Sequence, residues 1–244
     1  DITLKNLGDI LFVGDLKLGL FAIHFMVFAT VGVINELNMS DGVDGLAGGY
    51  TLTALLGLLY LAWGCEPCVN EQKLLMLLIA AVLGFMLLNM RSPWCRKAKV
   101  FMGDSGSMFL GFALAVAFIH LSQGDTKIMA PVTALWLFAL PLMDTVSIIV
   151  RRKKKGQSAF APGQDHIHHI LQRAGYTVGQ INLMGWGASV VLAVIGIIGF
   201  RLGVHDGIMF AGFITLYFLY HWMVSRALRK NQIFNRPLQA QIDD

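Results

Sequence analysis

The stretch "GLFAIHFMVFATVGVINELNMSDGVDGLAGGYTLTALLGLLYLAW" (19–63) places two long apolar runs on either side of a short polar segment rich in aspartate and glycine. Each run approaches the roughly 17–25 residues that an α-helix needs to cross the hydrocarbon of a bilayer. The apolar residues are continuous rather than alternating, which favours helices over the strands of a membrane barrel. The stretch therefore predicts a helical hairpin in a membrane, with its polar turn at one surface.

The same pattern extends over the rest of the chain. Of its 244 residues, 56% are hydrophobic and 14% are charged, whereas soluble domains usually carry about 25% charged residues. We expect about seven spans, at 19–37, 46–63, 74–90, 106–121, 131–150, 182–200 and 205–224. The predicted fold is an all-α, polytopic membrane helix bundle, with 1–244 as a single transmembrane domain.

The uneven distribution of Lys and Arg predicts the orientation of this bundle. Counted over alternate linkers, one side of the membrane holds 14 of these 19 residues and the other side holds 5. Because short cytoplasmic loops are enriched in Lys and Arg, the richer side is predicted to be cytoplasmic. It contains the loops 38–45, 91–105 and 151–181 and the tail 225–244.

The first polar motif on this side is "NMSDGVDGLAGG" (38–49). Asp41 and Asp44 are three residues apart, so on a helical turn they would share a face. A helix that begins near Gly45 would direct its positive end to the same place, which suits a phosphate. Asn38 adds a neutral oxygen. The alternative is a polar turn that only joins two helices, but acidic residues at a membrane edge are costly and are candidates for function.

The second motif is "KVFMGDSGS" (99–107), in which Asp104 lies between two glycines. Carboxylate and amide oxygens are hard ligands of the kind that Mg²⁺ prefers. Phe101, three residues earlier, could stack on a flat base. The alternative is a helix N-cap, because such a polar group before an apolar run is typical of a helix start. The two interpretations are compatible.

The third motif is "QDHIHHILQRAG" (164–175). On a helix, His166, His169 and Arg173 would share one face, and His168 adds a third imidazole. Such a face suits anionic oxygens, because it offers titratable donors and a fixed cation. Zinc is a further alternative, although no cysteine lies near enough in the sequence to support it.

Two smaller features accompany these motifs. Cys65 and Cys68 fall on the predicted outer side, where a disulfide is permitted, and both a local disulfide and two free thiols are left open. Asp144 lies in a predicted span near its cytoplasmic end, where it could support the polar site from below.

Together with "PVTALWLFALPLMD" (131–144), the three motifs resemble those of the polyprenyl-phosphate N-acetylhexosamine-1-phosphate transferases, of glycosyltransferase 4 type. "HIHH" and "PLMD" resemble the branch of this family that uses N-acetylglucosamine. The resemblance implies transfer of N-acetylglucosamine-1-phosphate from UDP-GlcNAc to undecaprenyl phosphate, with UMP released and with Mg²⁺, or alternatively Mn²⁺, as cofactor. It also implies a bacterial inner-membrane enzyme that initiates O-antigen, enterobacterial common antigen or a related surface glycan.

Carried over by motif position, the resemblance implies three groups of site residues. The implied metal ligands are Asp104 and Asn38. The groups implied to act on the sugar and the phosphates are Asp41, Asp44, His166, His168 and His169. The implied substrate-binding residues are Phe101, stacked on the uracil, Asn89 beside it, and Arg173.

One departure from the family pattern leads to an expectation about activity. Family members carry further spans before this region, with an Asp-Asp motif on an earlier cytoplasmic loop, and residues 1–37 contain no such pair. We therefore expect the chain to be the C-terminal part of a longer protein of ten or eleven helices, inactive on its own.

Two other classes of function remain as alternatives. One is a transporter, which would place its polar site near the bilayer midplane, whereas these motifs gather at one boundary. The other is a non-catalytic lipid-binding subunit. Membrane lipid is an expected partner and nucleic acid is not, while homo-oligomerisation is left open.

Overall fold

The computed structural model describes residues 3–91, 97–158 and 166–239 of the chain. Within these residues the chain forms nine α-helices and no β-strand. The helices are α1 (Ala22–Ser40), α2 (Leu46–Ala62), α3 (Val69–Asn89), α4 (Gly103–His120), α5 (Pro131–Leu137), α6 (Ala139–Lys154), α7 (Ile167–Arg173), α8 (Val178–Arg201) and α9 (Asp206–Gln239). The prediction of an all-α fold is confirmed.

Most of these helices are long and apolar enough to cross a membrane. Of the described segments, five qualify, namely Gly19–Ser40, Glu66–Asn89, Gly103–His120, Val178–Arg201 and Asp206–Arg229. A sixth span is counted if α5 and α6 are taken together, and α2, with 17 residues, is a shorter apolar helix. The structure thus confirms a polytopic bundle, and the expected seven spans are reached only when α2 and the α5–α6 pair are both included.

The predicted span 131–150 is not one straight helix. It breaks at Phe138, and α5 and α6 meet at an angle of 86°. Pro141 lies in the first turn of α6 and has no backbone N–H to bond to Leu137, the residue four positions before it. A proline ring also clashes with the carbonyl four residues earlier in a continuous helix, so the interruption falls one turn before the proline.

Helices α1 and α4 pack closely along their length. The contact depends on Gly111 of α4, because a Cβ atom built there would lie only 2.7 Å from the Cα atom of Ile34. Close approach through a small residue is a common way for membrane helices to associate, since lipid supplies little hydrophobic driving force between them. This packing brings the end of α1 next to the start of α4.

One end of the bundle is fastened by contacts between distant parts of the chain. The backbone N–H groups of Lys5 and Asn6 donate to the side-chain oxygen of Gln123 at 3.1 and 3.3 Å. Asp9 contacts His205 at 3.1 Å. The predicted disulfide alternative is also realised at this end, where Cys65 and Cys68 are bonded.

The other end carries the three polar motifs of the sequence. The predicted cytoplasmic loops 91–105 and 151–181 and tail 225–244 are described in part, because 92–96, 159–165 and 240–244 lie outside the described residues. The assignment of 1–244 to a single domain stays a prediction.

Candidate functional site

The first motif forms a tight turn between α1 and α2. Helix α1 ends at Ser40, residues 41–45 form the turn, and α2 begins at Leu46. Gly45 precedes α2 with φ of 86°, a left-handed conformation that glycine adopts without steric cost. The prediction that a helix starts near Gly45 is therefore confirmed.

The expectation that Asp41 and Asp44 share a helical face is wrong, because both lie in this turn. Their carboxylates instead have different partners. Asp41 accepts a hydrogen bond from the backbone N–H of Gly103, whereas Asp44 forms an ion pair with Arg91 at 2.7 Å. Asp41 is thus directed towards the second motif and Asp44 towards the end of α3.

The second motif opens helix α4 beside the end of α1. Asp104 lies in the first turn of α4, and its Oδ1 accepts a hydrogen bond from the Asn38 side chain at 3.1 Å. The same amide donates to the hydroxyl of Ser107 at 2.9 Å. Asp104 makes no side-chain cap, so the N-cap alternative does not describe its role at this helix start.

Two carboxylates therefore meet at this end of the bundle. Partial burial raises the pKa of Asp41 to about 6, and the negative charges of Asp104 and Asp44 add to the effect, while the hydrogen bond from Gly103 opposes it. Carboxylates crowded in this way favour either a proton or a bound cation. These carboxylate oxygens are hard donors of the kind that suits Mg²⁺ or Mn²⁺. Asn38 presents its amide nitrogen to Asp104, so it would offer its oxygen to a cation only after the amide turns over.

The third motif lies against the first through His168. A Cβ atom built on Gly42 would lie 3.5 Å from Nε2 of His168. That nitrogen is buried and has no hydrogen-bond partner in the described part of the chain. Burial lowers the pKa of His168 to about 3, with contributions from His169 and His166, so the ring is neutral near pH 7.

His166 and His169 each contact His168, although the histidines do not lie on one helical face as predicted. His166 precedes α7 in extended conformation and is buried, while His169 lies on the helix and is partly exposed. The rings of His166 and His168 stack with centroids 5.4 Å apart, and the ring of His169 lies 4.2 Å from that of His168. The predicted face of His166, His169 and Arg173 is wrong because His166 turns inward to contact Asp144 at 3.0 Å.

The predicted substrate-binding residues occupy three different settings. Phe101 is 77% exposed beside the Asp104 turn, and Arg173 lies in the exposed last turn of α7. Asn89 is buried, and its amide bridges two backbone segments, accepting from Gly45 N–H at 2.7 Å and donating to the Val100 carbonyl at 2.8 Å. Asn89 thus joins the first motif to the second, and its role towards a substrate stays a prediction.

Two residues near the site were missed in the sequence. Arg91, which the sequence shows only as one of the basic residues that predict orientation, pairs with Asp44. Asn182, in the first turns of α8, donates to the backbone carbonyl of Asp44 at 2.7 Å. An amide inside an otherwise apolar span is a signal of a polar partner, and by that rule Asn182 could have been found.

Comparison with known proteins identifies the family of this chain. Residues 1–122 match the family model of glycosyl transferase family 4. The chain is 36% identical over 236 residues to the undecaprenyl-phosphate alpha-N-acetylglucosaminyl 1-phosphate transferase of Escherichia coli (strain K12). It is 37% identical over 240 residues to the protein of that name from Yersinia pestis, and 41% identical over 231 residues to that from Haemophilus influenzae.

These matches cover 94–96% of this chain and 64% of the length of each relative. The chain therefore spans just under two thirds of the curated relatives it matches. The family resemblance of the motifs is confirmed: by the family model over half its length and by these identities over nearly all of it, the chain belongs to glycosyl transferase family 4.

Proposed function

We propose that the protein transfers N-acetylglucosamine-1-phosphate from UDP-GlcNAc to undecaprenyl phosphate. The observation that carries this proposal is the meeting of three motifs at one end of a membrane bundle, where Asp41 contacts the Asp104 turn and Gly42 lies beside His168. The names of the relatives give the substrate class, undecaprenyl phosphate and a donor of N-acetylglucosamine-1-phosphate. A water-soluble nucleotide-sugar and a lipid phosphate can meet only at such a boundary.

The reaction is a displacement at phosphorus. An oxygen of the lipid phosphate forms a bond to the sugar-bearing phosphorus of UDP-GlcNAc, and the bond from that phosphorus to the bridging oxygen of UMP breaks. The products are undecaprenyl-diphospho-GlcNAc and UMP. Both reactants are anionic, so catalysis depends mainly on holding them in line and offsetting their charge.

Asp104 and Asn38 would hold a divalent cation, Mg²⁺ or alternatively Mn²⁺, with Asp41 close by. The Asn38–Asp104 hydrogen bond already holds these two side chains together at 3.1 Å. A cation there supplies positive charge next to the diphosphate, which the two carboxylates cannot provide themselves. Phe101, exposed beside the same turn, is placed where a uracil ring could stack on it.

His168 is suited to a phosphate oxygen as a neutral donor. Its Nε2 is buried at the turn of the first motif and lacks a partner within the described residues. A buried polar nitrogen without a hydrogen bond is costly, and a phosphate oxygen at Gly42 would supply the missing acceptor. His169 and Arg173, on the more exposed side of α7, would then face the departing nucleotide.

An apolar groove reaches this histidine from the membrane side. Its volume is about 430 Å³, and it lies between α2, α6, α8 and α9. His168 forms part of its wall, and the remaining lining is almost entirely apolar, with Leu140, Leu192 and Leu219 among it. A groove of this kind can hold the first part of an isoprenoid chain while its phosphate lies at the histidines.

The cellular placement follows from the charge distribution in the sequence. With 14 of 19 Lys and Arg residues on the motif side, we place the site at the cytoplasmic face of a bacterial inner membrane, with the C-terminus on the same side. The reaction would then be the first step in the synthesis of O-antigen, enterobacterial common antigen or a related surface glycan.

Incorporation of labelled GlcNAc into extractable lipid tests the proposal. The protein is assayed in vesicles as its gene encodes it. We expect Mg²⁺-dependent product with undecaprenyl phosphate, stoichiometric UMP, and loss of both on chelation. A protein that binds undecaprenyl phosphate yet forms no lipid-linked sugar would refute transfer and favour the lipid-binding alternative.

A further inference from the structure

Asp144 of α6 forms a buried hydrogen-bond centre beside the histidine segment. It is 3% exposed. Its Oδ1 accepts from the Tyr220 hydroxyl at 2.8 Å, and its Oδ2 accepts from Nδ1 of His166 at 3.0 Å and from the backbone N–H of Ile167 at 3.2 Å. A buried carboxylate persists only when it is compensated in this way, so this residue and the start of α7 fix each other.

We propose that Asp144 is a positioning residue for the histidines of the transferase site, an inference that rests on the proposed function. By accepting from Nδ1 of His166 it selects the imidazole tautomer with the proton on that nitrogen. By accepting from Ile167 N–H it also fixes where α7 begins. The ring of His166 stacks on that of His168, whose Nε2 lies beside Gly42, so Asp144 sets the distance between the histidines and the aspartate turn.

A buried metal ion is the competing explanation for this cluster. Ligand atoms of Glu36, Asp144 and His166 all lie within 4.8 Å of one another. However, both oxygens of Asp144 already accept hydrogen bonds, and on Glu36 Oε1 accepts from Ser40 at 3.2 Å while Oε2 has no partner among the described residues. A cation bound through Nδ1 of His166 would break the hydrogen bond from that nitrogen to Asp144. The geometry therefore favours a hydrogen-bonded anchor.

The kinetic test uses Asp144→Asn, which keeps the shape of the side chain and removes its charge. We expect kcat for lipid-linked GlcNAc to fall about 10- to 100-fold, the scale for losing a partner that orients a functional imidazole, with KM for UDP-GlcNAc changed less than about threefold. The matched control is Ser147→Ala, one turn further along α6, where a buried hydroxyl hydrogen-bonds to His221 at 2.8 Å and to Arg151 of the same helix, with no hydrogen bond to the described residues of α7. We expect kcat of this control within about threefold of wild type.

A double-mutant cycle with His166→Gln separates positioning from general destabilisation. If Asp144 acts through His166 as well as through Ile167, the double variant loses less kcat than the product of the two single losses, because both changes break the same Asp144–His166 contact. Fully multiplicative losses, or a stoichiometric metal ion that is bound by wild type and lost in Asp144→Asn, would overturn the inference.

A readout that needs no turnover keeps this inference separate from the proposed function. With ¹⁵N-labelled histidine, NMR should show His166 protonated at Nδ1 in the wild-type protein, assigned by the signal that His166→Gln removes. In Asp144→Ala we expect the two tautomers to mix, because the acceptor is gone. An unchanged His166 signal in a folded Asp144→Ala protein would refute the anchor, whether or not the wild-type protein transfers sugar.

Discussion

Two side chains at the membrane edge are buried in a way that disfavours their charged forms, one an acid and the other a base. Asp41 is a carboxyl whose pKa is raised to about 6 by burial and by neighbouring carboxylates. His168 is an imidazole whose pKa burial lowers to about 3. Each would be relieved by a bound partner of the right charge, a cation beside the carboxylates and a phosphate oxygen at the imidazole. At the scale of single residues, the pair therefore fits the proposed binding of a metal-bound phosphate.

Asp104→Asn is the sharpest test of the proposed cation site. We expect turnover to fall at least about 10²-fold, the scale for removing one group that stabilises developing charge. The control is Asp15→Asn, an exposed acid at the opposite end of the bundle, with turnover expected to be unchanged. Labelled GlcNAc in lipid is the measurement, and near-normal turnover of Asp104→Asn would remove this residue from the metal site.

Because of His168, the folded protein should become less stable as the pH falls below 6.5. Its pKa is about 3 in the folded protein and ordinarily 6.5, so below pH 6.5 the unfolded chain takes up a proton that the folded protein refuses. Unfolding is therefore favoured by about 1.4 kcal/mol per pH unit as the pH falls towards 3. Asp41 acts in the opposite sense between pH 6 and 4, since its folded pKa is raised from 3.8 to about 6.

Comparison with His168→Gln isolates this contribution, because Asp41 is common to both proteins. In detergent, the melting temperature of wild type should fall relative to that of the variant as the pH is lowered from 7 to 5. His24→Gln, a change on the exposed face of α1, serves as the control and should follow wild type. Parallel pH profiles for wild type and His168→Gln would contradict the buried neutral imidazole.

At the scale of helices, α1 and α4 determine whether Asn38 reaches Asp104. The two helices approach closely at Gly111, where a Cβ atom would lie 2.7 Å from the Cα atom of Ile34. Backbone cannot yield as the end of a flexible side chain can. Separation of the helices at this point would move the ends that carry the two site residues.

Gly111→Ala is therefore expected to destabilise the protein by about 1–3 kcal/mol through overpacking. Gly84→Ala in α3 is the matched control, because a Cβ atom there meets nothing within 4 Å. Melting temperatures in detergent measure the difference, with Gly84→Ala expected at or above wild type, since alanine favours a helix over glycine. Equal melting temperatures for the two variants would show that α1 and α4 are not in such close contact.

The sequence predicted these helices well where the apolar runs were long and their ends polar. It predicted α2 from Gly45 and α4 from the glycines around Asp104, because glycine and polar residues end apolar runs locally. The break at Phe138 was not predicted, because the run 131–150 is predominantly apolar and a proline in the first turn of a helix is common.

The sequence predicted which residues form the site better than it predicted how they are arranged. Clusters of Asp and His at a membrane edge are unusual enough to be seen without a structure. The turn that separates Asp41 from Asp44, and the inward rotation of His166, depend on partners such as Gly103 and Asp144 that are remote in sequence. Spacing along one helix carries no information about such partners.

At the scale of the whole molecule, the polar end and the apolar groove meet at His168. Under the proposed function, this junction would separate the two substrates, with the nucleotide in water and the isoprenoid chain in lipid. Changes in the groove should therefore affect one substrate only.

Ala188→Trp tests this separation, because Ala188 lines the groove. We expect KM for the lipid phosphate to rise by about tenfold, equivalent to about 1.4 kcal/mol, with KM for UDP-GlcNAc unchanged. Ala211→Trp, the same change on an exposed face of α9, is the control and should alter neither constant. A rise in both KM values for Ala188→Trp would place the lipid chain elsewhere.

The fastening at the opposite end has a consequence for biosynthesis. Asp9 contacts His205, and the ring of Phe12 stacks on the same histidine with centroids 4.6 Å apart. A ribosome adds these partners nearly two hundred residues apart, at about 5–20 residues per second. The segment around Asp9 and Phe12 therefore lacks this partner until His205 has been synthesised. Newly made protein stalled before that point would expose this segment to proteases, whereas the finished protein would protect it.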